Sequence, residues 1–236
     1  MAVMSAVVLL SGCSVDPFGV SLLAALAAIG FFVWYYSGRQ QVKRWLRAAR
    51  AWKIGELPEN TLGRVVGKAE AIDQALAAPL TGRPCVCYVA TVEQRGTASD
   101  YWKTIISESR GVTFRLVDDT GHAIVDPTNA KIELTFDDNQ WSGISQDATE
   151  AEEAFLAKHG HGSQGWVFNK SLRYHEAVIE LGETVAVLGS GVREFDPTAL
   201  PPEGYRSPPR TRLRLTSSAR YPLIISDSPS TTKITS

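Results

Sequence analysis

The sequence predicts a β-rich (α+β) domain, barrel- or sandwich-like, behind one N-terminal transmembrane helix. Two observations predict it. Residues 18–36 form an apolar run without a single charge, and from residue 62 onward short β-branched segments alternate with Gly, Pro and Asp turns. The apolar run reads FGVSLLAALAAIGFFVWYY. As a helix rising ~1.5 Å per residue it reaches roughly 28 Å, close to the ~30 Å of a bilayer's hydrocarbon core. Trp34, Tyr35 and Tyr36 end it with amphipathic rings suited to the headgroup boundary. A buried core helix of this length ordinarily carries a polar stripe, which this run lacks.

Charge then sets direction. The chain holds 24 Lys and Arg against 25 Asp and Glu, a formal net charge of -1, and that balance argues against nucleic acid as a partner. The positive charge is local. Arg39, Lys43, Arg44, Arg47, Arg50 and Lys53 follow the run with no acidic residue among them, whereas only Asp16 precedes it. The positive-inside rule therefore predicts a single-pass protein whose C-terminal domain is cytoplasmic. Residues 37–55 read as a basic amphipathic helix, with Val42, Trp45, Leu46, Ala49 and Trp52 on one side. Beside a membrane, Arg39, Lys43, Arg44, Trp45, Arg47, Arg50 and Trp52 are candidate membrane-surface residues and the lipid bilayer is their partner. Each basic group near an anionic surface contributes about 1 kcal/mol. The other reading is a helix packed on its own domain.

The segment 1–17 contains Leu10-Ser11-Gly12-Cys13, which matches the lipobox of bacterial lipoproteins and makes Cys13 a possible lipidation site. The stretch before it lacks the basic region of a signal peptide. Lipidation would turn the domain outward. Cys85 and Cys87 stand two apart in an apolar run, which on a regular strand places them on one face as small core residues.

Within residues 62–228 the expected strands are 63–70, 85–93, 102–107, 112–117, 122–125 and 131–136, then 173–180, 183–188, 212–215 and 222–226. Asp118-Asp119-Thr120-Gly121 makes a hairpin, Leu181-Gly182 a second one, and Gly189-Ser190-Gly191 a further turn. Residues 149–159 suit a short helix with Glu150, Glu152 and Glu153 at its positive end. Residues 196–210 form a proline-rich connector, and 229–236 a polar tail.

Catalytic constellations are sparse. Gly63-x-x-x-Gly67-Lys68 is one residue short of a phosphate loop and lacks its Ser or Thr, so a plain strand is expected. His159-x-His161 has no third metal ligand nearby in sequence. His175, Glu176 and Glu180, with Glu183, make a weak acidic-patch candidate. No catalytic, cofactor-binding or metal residue is assigned, and no cofactor is expected.

Three ordered blocks resemble the GIDE (beside-a-membrane) domain: 76–88, LAAPLTGRPCVCY; 114–127, FRLVDDTGHAIVDP; and 174–189, YHEAVIELGETVAVLG. Residues 222–227, PLIISD, are similar to its closing segment. The resemblance covers about 62–228. It implies kinship with the membrane region of the mitochondrial E3 ubiquitin ligase family, whose members add a RING finger. Such a finger holds two four-coordinate zinc ions. This chain has three cysteines and four histidines, one short of eight ligands, and no Cys-x-x-Cys pair. The apolar run, the basic helix, the β-rich domain and the lack of a catalytic constellation together point to a noncatalytic, membrane-anchored interaction or sensing module that meets another protein or a small ligand. The alternatives are a component of a ubiquitin-transfer-like system and a lipid-anchored surface protein.

Overall fold

The computed structural model describes residues 38–96, 101–136, 138–142, 148–162, 171–197, 211–218 and 221–233. The expected spanning run 18–36 and Cys13 lie outside these residues. Among the described residues no helix is long and apolar enough to cross a membrane. The chain divides into two compact units, Met1–Val42 and Lys43–Ser236. Of the first, only the start of helix α1 (Gly38–Ala48) is described.

Helix α1 is shorter than the helix expected over 37–55. It stops at Ala48 because the chain then enters strand β1 (Ala51–Trp52), which runs parallel to β2 (Leu62–Ala71). The Arg64 N–H donates to the Arg50 carbonyl at 3.0 Å, so the backbone that would extend the helix is committed to a sheet.

Strand β2 begins a closed barrel. One part of it pairs antiparallel with β11 (Thr184–Phe195) and the other with β6 (Phe114–Asp118). β6 turns through Asp118 into β7 (Gly121–Val125), β7 lies parallel to β12 (Thr211–Thr216), and β12 pairs back to β11. In chain order, the ring runs first, second, third, fifth, fourth and back to first. Val65, Ala69, Phe114, Leu116, Ala123, Val125, Val185, Val187, Leu213 and Leu215 fill its interior, and Ile54 and Leu57 join the same core. Burying each large side chain contributes roughly 1.5–3 kcal/mol. Strands β13 (Ile224–Ser226) and β8 (Lys131–Glu133) extend the sheet beside β11.

A second sheet grows from two excursions out of the barrel. Between β2 and β6 the chain makes β3 (Leu76–Ala77), β4 (Pro84–Arg95) and β5 (Trp102–Gly111). Between β7 and β11 it makes β9 (Asp138–Ser142), helix α2 (Glu150–Lys158) and β10 (Leu172–Glu180). β10 lies between β4 and β9, and β5 pairs with β4. One face of this sheet sends Val86, Cys87, Ala177 and Ile179 into the barrel core. On the other, Tyr88, Ala90, Val92, Ile106, Leu172, Tyr174 and Val178 pack with Phe155 and Leu156 of α2. The expected acids occupy the first turn of α2, and one of them makes a capping box that the sequence reading did not single out: Thr149 accepts from Glu152 N–H, and the Glu152 carboxylate accepts from Thr149 N–H at 2.7 Å. A short helix α3 (Pro229–Thr232) follows β13.

Three local expectations change. β10 and β11 do not form a hairpin around Leu181-Gly182; they separate into different sheets. The linking turn is held by Ala69 of β2, whose carbonyl accepts from Gly182 N–H at 2.7 Å and whose N–H donates to Glu183 at 2.9 Å. Gly189-Ser190-Gly191 lies inside β11, where the strand exchanges β13 for β12 as its neighbour. A Cβ at Gly189 would lie 2.7 Å from Leu223, and one at Gly191 2.9 Å from Leu57. Finally, a register shift where β4 meets the Ile179–Glu180 step sends Cys85 and Cys87 to opposite sides of their sheet.

Candidate functional site

The acidic-patch residues do not converge. Strand alternation sends Glu176 and His175 to opposite faces of β10. His175 Nε2 lies 3.3 Å from Glu93 and its ring 5.4 Å from that of Phe136. Glu176 is 1 % exposed and closes the turn between β3 and β4: one carboxylate oxygen accepts from Leu80 N–H at 2.8 Å, the other from the Thr81 hydroxyl. The same hydroxyl accepts from Arg83 Nε at 3.1 Å, and Arg83 reaches the exposed Glu180 at 2.9 Å. Glu180 N–H in turn donates to Glu183 at 2.9 Å. The patch is thus a clamp on the turn, with Glu180 and Glu183 at its solvent edge.

A second polar cluster joins α2 to the sheet. Glu108 on β5 accepts from the Tyr88 hydroxyl and from Lys158 Nζ at 2.8 and 2.9 Å, with His159 Nε2 2.7 Å away. Burial opposes the Glu108 charge, but the hydrogen bonds from Lys158, Tyr88 and His159 outweigh it and hold the carboxyl down at about 2. Burial and the bond to Glu108 push the Tyr88 phenol up to about 12. Because the folded-state value of Glu108 is depressed, its stabilisation is complete above the ordinary value of 4.5 and is lost as pH falls toward 2. Glu108→Gln is expected to flatten the stability profile across that window in urea titrations; an unchanged acid limb would remove the cluster from the account.

The cysteines are structural. Both are free and buried; burial, with the charge of Glu176, pushes Cys85 up to about 11, and burial pushes Cys87 up to about 12. With so little thiolate present, alkylation of these two in the folded chain near neutral pH is expected to run at least roughly a hundredfold slower than after unfolding. Peptide mass spectrometry after timed iodoacetamide exposure measures this, and comparable rates would refute it. Among the described residues, which include His159 and His161, no group of three or more His, Cys, Asp and Glu is placed to hold a metal ion.

Of the candidate membrane-surface residues, those from Lys43 to Trp52 belong to the same compact unit as the barrel. Leu46 is fully buried, and the Trp45 ring meets Tyr221 edge-on at 5.4 Å with Lys131 Nζ 5.5 Å from its centroid. Trp52 packs against the barrel core, with the Arg50 guanidinium 4.1 Å over its ring. Both tryptophans are therefore engaged within the domain, because barrel and bilayer offer the same apolar complement to an amphipathic segment. Arg47 and Arg50 remain exposed, and Lys43 and Arg44 are half-buried. Trp45, Ala48 and Ala49 line an apolar pocket of about 170 Å³ with Leu62, Leu188 and Tyr221. Asp118 locks the following loop: one carboxylate oxygen accepts from Ile54 N–H at 2.8 Å, the other from Thr120 N–H at 2.7 Å and Gly121 N–H at 3.0 Å. Lys53 pairs with Asp119 at 2.6 Å. Asp118 and Lys131 were not singled out by sequence; the turn signal around Asp118 gave its position but not its partner.

Barrel order and closure define the class: an OB-type Greek-key barrel, elaborated by an inserted sheet and entered through a basic helix. The family model described as "GIDE: E3 Ubiquitin ligase" matches residues 89–205 of the chain. No curated relative and no solved structure matches the chain.

Proposed function

We propose that the chain is a membrane-anchored binding module. In this reading residues 18–36 span the bilayer, the cations from Arg39 to Lys53 face the anionic headgroups of the cytoplasmic leaflet, and the barrel is held beside the membrane to meet a protein or small ligand. The observation that carries it is the acid-free cationic approach, whose exposed Arg47 and Arg50 stand on a segment tied to the barrel wall. Because the tryptophans are engaged within the domain, the surface contact is electrostatic and weakens with salt.

Alkaline extraction and protease access on the full chain test the reading. The chain should stay with the membrane pellet, and its C-terminal domain should be cleaved only after the cytoplasmic side is opened. Replacing Arg44, Arg47 and Arg50 together by Gln should yield a mixed orientation. Extraction of the wild-type chain into the supernatant would end the proposal. A lipidated cysteine at the mature N-terminus would replace the spanning helix with Cys13.

The family description brings ubiquitin transfer into view. In such an assembly this domain's contribution would be recognition, since the buried Cys85 and Cys87 thiols are unsuited to forming a thioester.

A further inference from the structure

Arg64 is 7 % exposed, and its side chain leaves β2 on the outer side of the barrel wall. Leu188 is its direct ladder partner and Leu62 lies one pleat away, so all three share a face. Leu62 and Leu188 line the apolar pocket beneath α1. The Nε of Arg64 is buried with no hydrogen-bond partner, and among the described residues no carboxylate pairs with the guanidinium. Arginine remains charged at any accessible pH, and this nearly buried guanidinium lacks a hydrogen bond at Nε. A second cation, Lys131, stands by the Trp45 ring that forms part of the same pocket.

A sequestered guanidinium beside an apolar slot complements an amphipathic anion. The pocket's volume of about 170 Å³ admits a short length of one acyl chain and not a whole lipid. We propose that Arg64 and this pocket bind an anionic phospholipid of the anchoring bilayer, its phosphate on the guanidinium and the start of one acyl chain against Leu62, Leu188 and Tyr221. The inference rests on the membrane-anchored reading and gives it a specific lipid class.

The test follows the thermal midpoint of the full chain in a neutral detergent with added dioleoylphosphatidylglycerol, dioleoylphosphatidylcholine or inorganic phosphate. At a hundredfold excess over Kd, phosphatidylglycerol should raise the midpoint by roughly 5–10 °C. The zwitterionic lipid and free phosphate should shift it by less than about a degree, and Lys103→Gln, on an exposed strand of the other sheet, should leave the response intact. Arg64→Met should match or exceed the wild-type midpoint without lipid, because an unpaired charge is removed, and should lose the response. Ala48→Phe, at the exposed rim of the pocket, should reduce it.

A full response in Arg64→Met, or an equal response to phosphate or to the zwitterionic lipid, would overturn the proposal. So would a marked drop of the Arg64→Met midpoint without lipid, since the guanidinium would then have an internal partner. A wild-type chain that resists alkaline extraction yet ignores phosphatidylglycerol defeats this inference alone; one that extracts into the supernatant defeats the membrane-anchored reading beneath it.

Discussion

Glu176→Ala is expected to destabilise the domain by about 3 kcal/mol, a large share of the stability of an ordinary domain. Glu176 is buried to 1 % exposure, and its two oxygens satisfy the Leu80 N–H and the Thr81 hydroxyl. Truncation strands both donors and leaves a cavity against Tyr174 and Val178. The damage should be local before it is global. Amide exchange at Leu80 should accelerate first, while the capping box of α2, formed by Thr149 and Glu152, stays protected. Glu176→Gln keeps an acceptor for one donor and should cost about 1 kcal/mol. Urea midpoints at constant m-value measure both changes, and a loss below 1 kcal/mol for the alanine variant would mean that the clamp contributes little.

Gly67→Ala is expected to cost about 3 kcal/mol for an unrelated reason. Gly67 sits where β2 passes from β11 to β6. A Cβ there would lie 2.6 Å from the Val117 carbonyl oxygen and 3.0 Å from its carbon. Those atoms belong to the backbone of the neighbouring barrel strand, so relief requires opening the ring. Gly162→Ala is the control: nothing lies within 4 Å of its added methyl, and its midpoint should move by less than about 0.5 kcal/mol. Equal losses in the two variants would show that the close approach at Gly67 is not what limits substitution. The spacing of Gly63, Gly67 and Lys68, superficially that of a phosphate loop, has a steric origin. A Cβ at Gly63 would meet Leu57 and Trp52, each at 2.6 Å.

Local chemistry was readable wherever a signal and its structural partner lie close together. The β-branched run at 85–93 is the centre of β4, and Asp118 to Gly121 does turn β6 into β7. Thr149 and Glu152 sit three residues apart and find each other. Partner choice was not readable. A Leu-Gly turn between two apolar strands looks the same whether the strands pair or part, and the deciding bonds to Ala69 come from a distant strand. Glu176 resembled an exposed acid because the donors that bury it lie 96 and 95 residues away in sequence. The segment around Trp45 satisfied both readings of an amphipathic helix, and nothing in the sequence pointed to Tyr221 as the neighbour of its ring. Arg64 had no sequence signal: a cation within a strand pattern reads as solvated until its exposure is known.

The two excursions that build the second sheet impose an order of events during synthesis. β4 emerges early, but its neighbour β10 follows only after β6, β7, β9 and α2, and the barrel waits longer still for β12, which ends at Thr216. At about 5–20 residues per second, the apolar faces of β2 and β4 remain uncovered on the ribosome for many seconds. A chain whose first helix is captured by a membrane would spend that interval tethered and separated from its copies. The same order makes 89–205 an unsafe excision boundary. An expressed fragment of that span would lack β2, β12 and the turn clamped by Glu176, and should aggregate rather than fold.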